Sequence, residues 1–325
     1  MIRKIFSIYV LIMICTSMHA QDAHLSQFYE SRLQTNPAIT GMFKGEYQAH
    51  LQYRNQWSAV ASNPFTTSLF SYDKPYKKFG FGLLAMNNKA GLSNYTVTNL
   101  TFSAAYEITN TPADGHHLTT GVQFGFIQKS INSSQFVYNN QFENSVSGYD
   151  SGIPSYESFS NISMILPELN FGACYFNNTK TSKIKPTLGI SAHHLTSPNE
   201  TFINTENKLP VRWIIYSRMR IEMADKNYLE PHGLFMRQKN VNELNIGFLW
   251  NKYIPSSDLY VFVGPYYRNF DAVAIHFGGL YKSIRLGISY DFNISTLSSA
   301  TNYRGGFEFS LTYKKSLEGL LPSIY

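Results

Sequence analysis

The chain has 325 residues, 43% hydrophobic, 15% aromatic and only 15% charged, with a formal net charge of +6. Its 24 Phe, 23 Tyr and 3 Trp outnumber the 27 Lys and Arg with 21 Asp and Glu, a balance that excludes disorder. Past residue 20 no run approaches the roughly 18 apolar residues of a membrane-spanning helix. A soluble globule or a β-barrel, which hides its apolar surface in alternation, therefore remains.

Residues 1–20 read as a secretory leader: Arg3 and Lys4 head an apolar run from Ile5 to Ile14, and Ala20 precedes the cut. Ile14 is too bulky for Cys15 to accept a lipid, so Cys15 leaves with the leader. The exported chain begins near Gln21 and keeps one cysteine, Cys174, so no internal disulfide forms. Loss of Arg3 and Lys4 leaves a net charge of +4, too weak and dispersed for nucleic acid.

From residue 47 onward the hydrophobic period is two. In Leu118–Phe126, Leu118, Val122, Phe124 and Phe126 oppose Thr119, Gly121, Gln123 and Gly125. Ile284–Phe292 and Phe307–Tyr313 alternate in the same way. The second face is Gly, Ser, Thr and Gln with few Lys or Glu, which suits a lumen better than open solvent. Fourteen strands are predicted, at 47–53, 65–72, 79–87, 95–108, 117–128, 167–176, 184–194, 211–220, 228–237, 243–250, 259–268, 272–281, 284–293 and 306–313. An even count fits a bacterial outer-membrane barrel. Connections alternate in length, one set averaging about 13 residues and the interleaved set about 6. That parity predicts an all-β transmembrane antiparallel barrel over 47–313. It places a periplasmic tail at 314–325, both termini in the periplasm and the long 129–166 connection outside. Tyr266, Tyr267, Tyr281 and Tyr313 fall at strand ends, where interface girdles sit. A charge on the lipid face costs about 2–4 kcal/mol at the midplane. Arg218, Arg220, Arg285, Asp291 and Glu308 are therefore expected to point inward, lining a pore or pairing across a packed interior.

Candidate chemistry is sparse. His116–His117 and His193–His194 are adjacent pairs whose members face opposite ways on a strand, which disfavours metal binding. Ser158 lacks a G-x-S-x-G frame, and Cys174 reads as a small strand residue. No catalytic residue, metal or cofactor is implied, although a hydrolase with dispersed catalytic residues stays open. The segment 130–163 carries ten Ser and six aromatics, and no Lys or Arg occurs from Ser130 to Thr179. Tyr138, Phe142, Tyr149 and Tyr156 form a candidate partner-binding surface; a lid folded over the mouth is the competing reading.

Several blocks, in order, carry a family resemblance: QDAHLSQFYESRLQTNPAITG (21–41), YRNQW (53–57) followed by NPFTTSLFSYD, LNFGACYF (169–176), LGISAHHL (188–195), SYDFNIS (289–295) and GGFEFSLTY (305–313). Together they resemble the PorP/SprF family of the type IX secretion system of Bacteroidota. The resemblance implies a non-enzymatic outer-membrane barrel that assists export or surface attachment of an adhesin-like cargo with a C-terminal secretion domain. It implies translocon and periplasmic peptidoglycan-linked partners, and relatives serve gliding motility. The family-motif residues are Asp22, Gln27, Asn36, Pro37, Gly41, Arg54, Gln56 and Trp57; Arg32 stands where the family often has Pro. A passive porin or hydrophobic-substrate channel is the alternative. Residues 21–46 read as a periplasmic lead-in packed on the barrel mouth, or else as a contact strip for periplasmic machinery or a plug. Arg54 is placed to fork onto a carboxylate, and Trp57 to sit at the outer interface.

Overall fold

The computed structural model describes residues 22, 24–58, 63–91, 95–109, 115–132, 138–143, 148–149, 152–154, 163–179, 181–202 and 206–315. The leader with Cys15, the loop residues Tyr156 and Ser158, and the chain from 316 onward lie outside the described residues. Fourteen antiparallel strands close into one barrel. They are β1 (Tyr47–Gln56), β2 (Phe65–Tyr76), β3 (Phe79–Ala90), β4 (Tyr95–Glu107), β5 (His116–Ser130), β6 (Ser163–Asn177), β7 (Ile184–His193), β8 (Arg212–Glu222), β9 (Tyr228–Gln238), β10 (Val241–Ile254), β11 (Leu259–Arg268), β12 (Ala272–Tyr281), β13 (Ile284–Asn293) and β14 (Arg304–Lys315). Each strand pairs with its sequence neighbour, and β1 closes on β14 from Tyr47↔Lys315 to Gln56↔Gly306.

Period two sorts the wall into two faces. Leu118, Val122, Phe124, Leu286, Phe292 and Phe307 are exposed on the outer face, whereas Thr119, Gln123, Ser289, Asp291 and Glu308 are buried inside. The pattern is that of a barrel whose outer belt meets hydrocarbon. Tyr266 does not join a girdle: its parity in β11 turns it inward, where it is 3% exposed and its ring stacks 4.0 Å from that of His276.

The connections segregate by length. Those between β5 and β6, β7 and β8, and β13 and β14 gather at one end, here the loop rim, and two-residue turns such as 77–78 and 282–283 lie at the other, the turn rim. In the β5–β6 connection the described residues form a 3₁₀ turn (Asn139–Gln141) and a two-residue ribbon in which Phe142 pairs with Tyr149.

Inside the barrel runs the N-terminal segment, which corrects its placement on the mouth. Residues 25–42 are nearly all buried, and they carry two helical turns, Arg32–Thr35 and Pro37–Ile39. Phe28, Ala38, Ile39 and Met42 pack with inward residues such as Cys174, Ile214 and Leu249 in one apolar cluster. Leu25 and Leu33 join Leu69, Leu84 and Met86 in another. The hydrophobic core of the molecule therefore lies between segment and wall. Asp22 sits at the loop rim, beside Arg212 and His194 at strand ends, and the chain descends to the turn rim to start β1. The two ends of the described chain thus lie at opposite rims, against the expectation that both share one side. The wall also runs to Lys315, two residues past the predicted boundary.

Candidate functional site

The segment is gripped first by ionised groups. Arg54 of β1 bridges Asp291 of β13 at 2.8 Å and Glu308 of β14 at 3.0 Å, and Arg268 of β11 reaches Asp291 at 2.8 Å. The four are at most 4% exposed. Isolated charges there would be prohibitive, so each needs its partners. The segment completes the set. The backbone N–H groups of Ser26 and Gln27 donate to Glu308 at 2.8 and 2.7 Å. The Ser26 hydroxyl donates to Asp291 at 2.7 Å and accepts from Arg268 at 3.0 Å and from Arg54. Gln52 donates to Glu308 at 2.6 Å.

A second cluster lies at the loop rim. The Asp22 carboxylate accepts from Arg212 and Gln238, both at 3.1 Å, and lies 2.8 Å from His194 Nε2. His194 Nδ1 is 2.8 Å from Glu168. Burial opposes ionisation of Asp22, but Arg212 and His194 outweigh it and hold the carboxyl well below the usual carboxylate range. Burial likewise opposes the imidazolium of His194, but its bonds to Asp22 and Glu168 prevail and raise its pKa. Both ring nitrogens then donate.

Deeper in the lumen the grip is one of shape. Tyr29 stacks on His232 at 4.7 Å and its hydroxyl lies 2.9 Å from His276 Nδ1. Asn36 accepts from the Ala38 N–H at 2.8 Å, starting the second helical turn with Pro37 in its first position. Its Nδ2 donates to the carbonyls of Ala173 and Ile190 at 3.0 and 3.1 Å. The backbone approaches the wall where the wall has no side chain. A Cβ on Gly121 would stand 2.4 Å from the Pro37 carbonyl oxygen, and one on Gly80 would stand 1.8 Å from that of Thr40. Gly41, at φ 66°, donates to Asp73 at 2.7 Å. Arg32 occupies the first position of its helical turn, a position that also suits Pro. Its guanidinium donates to the carbonyls of Ile39 and Met42 at 2.9 and 3.3 Å.

The family described as type IX secretion system membrane protein PorP/SprF matches residues 17–313. The chain belongs to this family. No curated relative matches it. Among solved structures, the TodX deltaS2S3 mutant monoaromatic hydrocarbon channel is 12% identical, with 89% of this chain and 94% of that one aligned at a TM-score of 0.53. The P. putida toluene transporter TodX is 12% identical over 89% and 95% at 0.49. A Pseudomonas aeruginosa FadL homologue is 12% identical over 88% and 94% at 0.47. The first of these likenesses shows the fold: an outer-membrane barrel.

In this PorP/SprF protein six of the eight motif residues meet at the segment–wall contact. Asp22, Gln27, Asn36, Pro37 and Gly41 lie on the segment, and Arg54 faces it from β1. Gln56 accepts from Arg54 Nε at 3.3 Å. Trp57, half-buried at φ 69°, ends β1 with its ring 6.1 Å from that of Phe65. The wall partners Asp73, His194, Arg212 and Arg268 are not among the candidate site residues of the sequence; Asp73 and His194 fall within the blocks at 63–73 and 188–195, and Arg212 and Arg268 are marked by inward parity alone. Glu30 on the segment takes Arg285 at 2.5 Å, and Arg218 pairs with Glu230 across β8 and β9. His117 pairs with Glu107 at 2.5 Å, and Cys174 is buried 3.2 Å from the Tyr216 hydroxyl. Among the described residues no three His, Cys, Asp or Glu side chains are grouped to hold a metal. Of the loop aromatics, Phe142 is exposed, and Tyr138 accepts through its carbonyl from the Gln141 N–H at 3.0 Å.

Proposed function

We propose that this PorP/SprF protein is a closed, non-enzymatic barrel that assists export or surface attachment of a secreted cargo with a C-terminal secretion domain. The observation that carries the reading is the run of residues 24–42 through the lumen, held there by the Arg54–Asp291–Glu308 cluster. A barrel so stoppered is suited to holding partners at its rims rather than to passing solutes. In this reading the loop rim faces the cell exterior, and the turn rim meets the translocon and peptidoglycan-linked components. Cargo docks on the aromatic connection around Tyr138, Phe142, Tyr149 and Tyr156, which offers broad contact at little entropic cost.

Deletion of the gene tests this. The expected result is loss of one secreted protein from the surface with small-solute uptake intact. Conductance in a planar bilayer without any cargo defect would favour the passive channel instead. Proteolysis of intact cells within residues 130–165 checks the orientation. Replacing the four aromatics with Ser, with barrel assembly verified by heat-modifiable migration, checks the docking surface. Wild-type cargo retention in that variant would leave the loop as a lid.

A further inference from the structure

The segment does not fill the lumen to the turn rim. Between its residues 29–43 and the wall of β1, β8, β9 and β12–β14 lies a small open-mouthed cavity of about 80 Å³. Five cationic side chains line it, Arg32, Arg218, Lys282, Arg285 and Lys314, against two carboxylates, Glu30 and Glu230. Both carboxylates are engaged: Glu30 with Arg285 Nε at 2.5 Å, and Glu230 with Arg218 Nε at 3.1 Å. Asp73 accepts from the Gly41 amide and interacts with Arg32 and Lys314 from beside the cavity, outside its lining. Basic groups thus outnumber carboxylates in the lining, five to two, in a partly closed space where the inner ones are poorly screened by solvent. Convergent guanidinium and ammonium donors recognise phosphate oxygens in particular.

We propose that this cavity binds a multivalent oxyanion, of which phosphate is the simplest, either free or as the phosphate of a lipid headgroup at the rim. Because Glu30 and Arg32 belong to the segment, occupancy and seating of the plug share the same side chains. The proposal stands apart from the cargo reading and survives its failure.

The test uses the purified full chain in detergent, titrated with inorganic phosphate by calorimetry and compared with chloride at matched ionic strength. Saturable phosphate binding is expected. It should weaken at least tenfold in Lys282→Gln/Lys314→Gln, persist in Lys314→Arg, and be unchanged in Lys239→Gln at the opposite rim. Lys282 is exposed in a turn, so Lys282→Gln alone gives a weaker but readable effect if the double variant does not fold. In nanodiscs, competition from phosphatidylglycerol against inorganic phosphate assigns the lipid source, and its absence assigns the free anion. An equal response to chloride, or full phosphate affinity in the double variant, overturns the site.

Discussion

The two ends of the buried segment are held in different ways. Residues 22–30 are gripped by ionised side chains of β1, β8, β11, β13 and β14, while residues 33–41 are seated against wall positions of β3, β5 and β6 that lack a side chain. The charged end is strong only as a set, because each buried ion needs its partner. The glycine end is a matter of fit, with hydrogen bonds from Thr119 to the Ala38 carbonyl and from Gln123 to the Leu33 carbonyl, at 2.7 and 2.8 Å. Loss of one charge should therefore cost more than loss of one good fit, and changes of pH should act chiefly at the charged end.

The largest effect is expected for Arg54→Met. It strips Glu308 of its cation and leaves Asp291 to Arg268, at a cost of about 3–5 kcal/mol for a broken buried pair. The expected readout is a lowered unfolding midpoint together with single-channel conductance absent from the wild type. Arg54→Met/Glu308→Gln should recover part of the stability, since the stranded charge is gone. A silent Arg54→Met barrel of wild-type stability would break the comparison, placing the hold of the segment at its glycine end.

The wall was legible and the plug was not, for a physical reason. Strand alternation is local, so β11, β12 and β13 fall on the predicted residues, and the parity of Asp291 and Glu308 already turned them inward. Strands β2, β3, β5 and β6 outrun their predicted ends, because residues such as Asp73, Pro75 and Asn88 fall there and weaken the alternation. The segment 22–42 has no period to read. Its two helical turns are a few residues each, and Ser26, Asn36 and Asp22 each bond to groups more than a hundred residues away. Gly80 and Gly121 are ordinary strand glycines until the chain that presses on them is in place.

A smaller effect is expected at the glycine end. Gly121→Ala puts a methyl group against the Pro37 carbonyl, and neither backbone can yield without shifting its ladder or its helical turn. Overpacking of this kind costs about 1–3 kcal/mol. The charged end remains seated, so the unfolding midpoint should fall while conductance stays near background. Sustained channel opening in Gly121→Ala would show that the fit at 36–41, rather than the ion pairs, seals the barrel.

The smallest effect belongs to the rim cluster, and its sign follows from the two shifts. His194 has a raised pKa in the fold, so its contribution is complete below its unfolded value of about 6.5 and is lost as pH rises through the raised value. Asp22 has a depressed pKa, so its contribution is present above about 3.9 and fails only in strong acid. The cluster is thus tightest in mildly acidic to neutral solution and loosens toward alkaline pH, when the imidazolium between Asp22 and Glu168 gives up its proton. Arg212 and Gln238 keep their bonds to Asp22 throughout, which limits the loss to about 1 kcal/mol, the size of one hydrogen bond. Urea unfolding in detergent at pH 6 and pH 9 should show a larger fall in stability for the wild type than for His194→Gln, which has no proton to lose. Parallel pH dependences in the two proteins would remove His194 from the latch and leave Arg212 as the group that holds Asp22 at the rim.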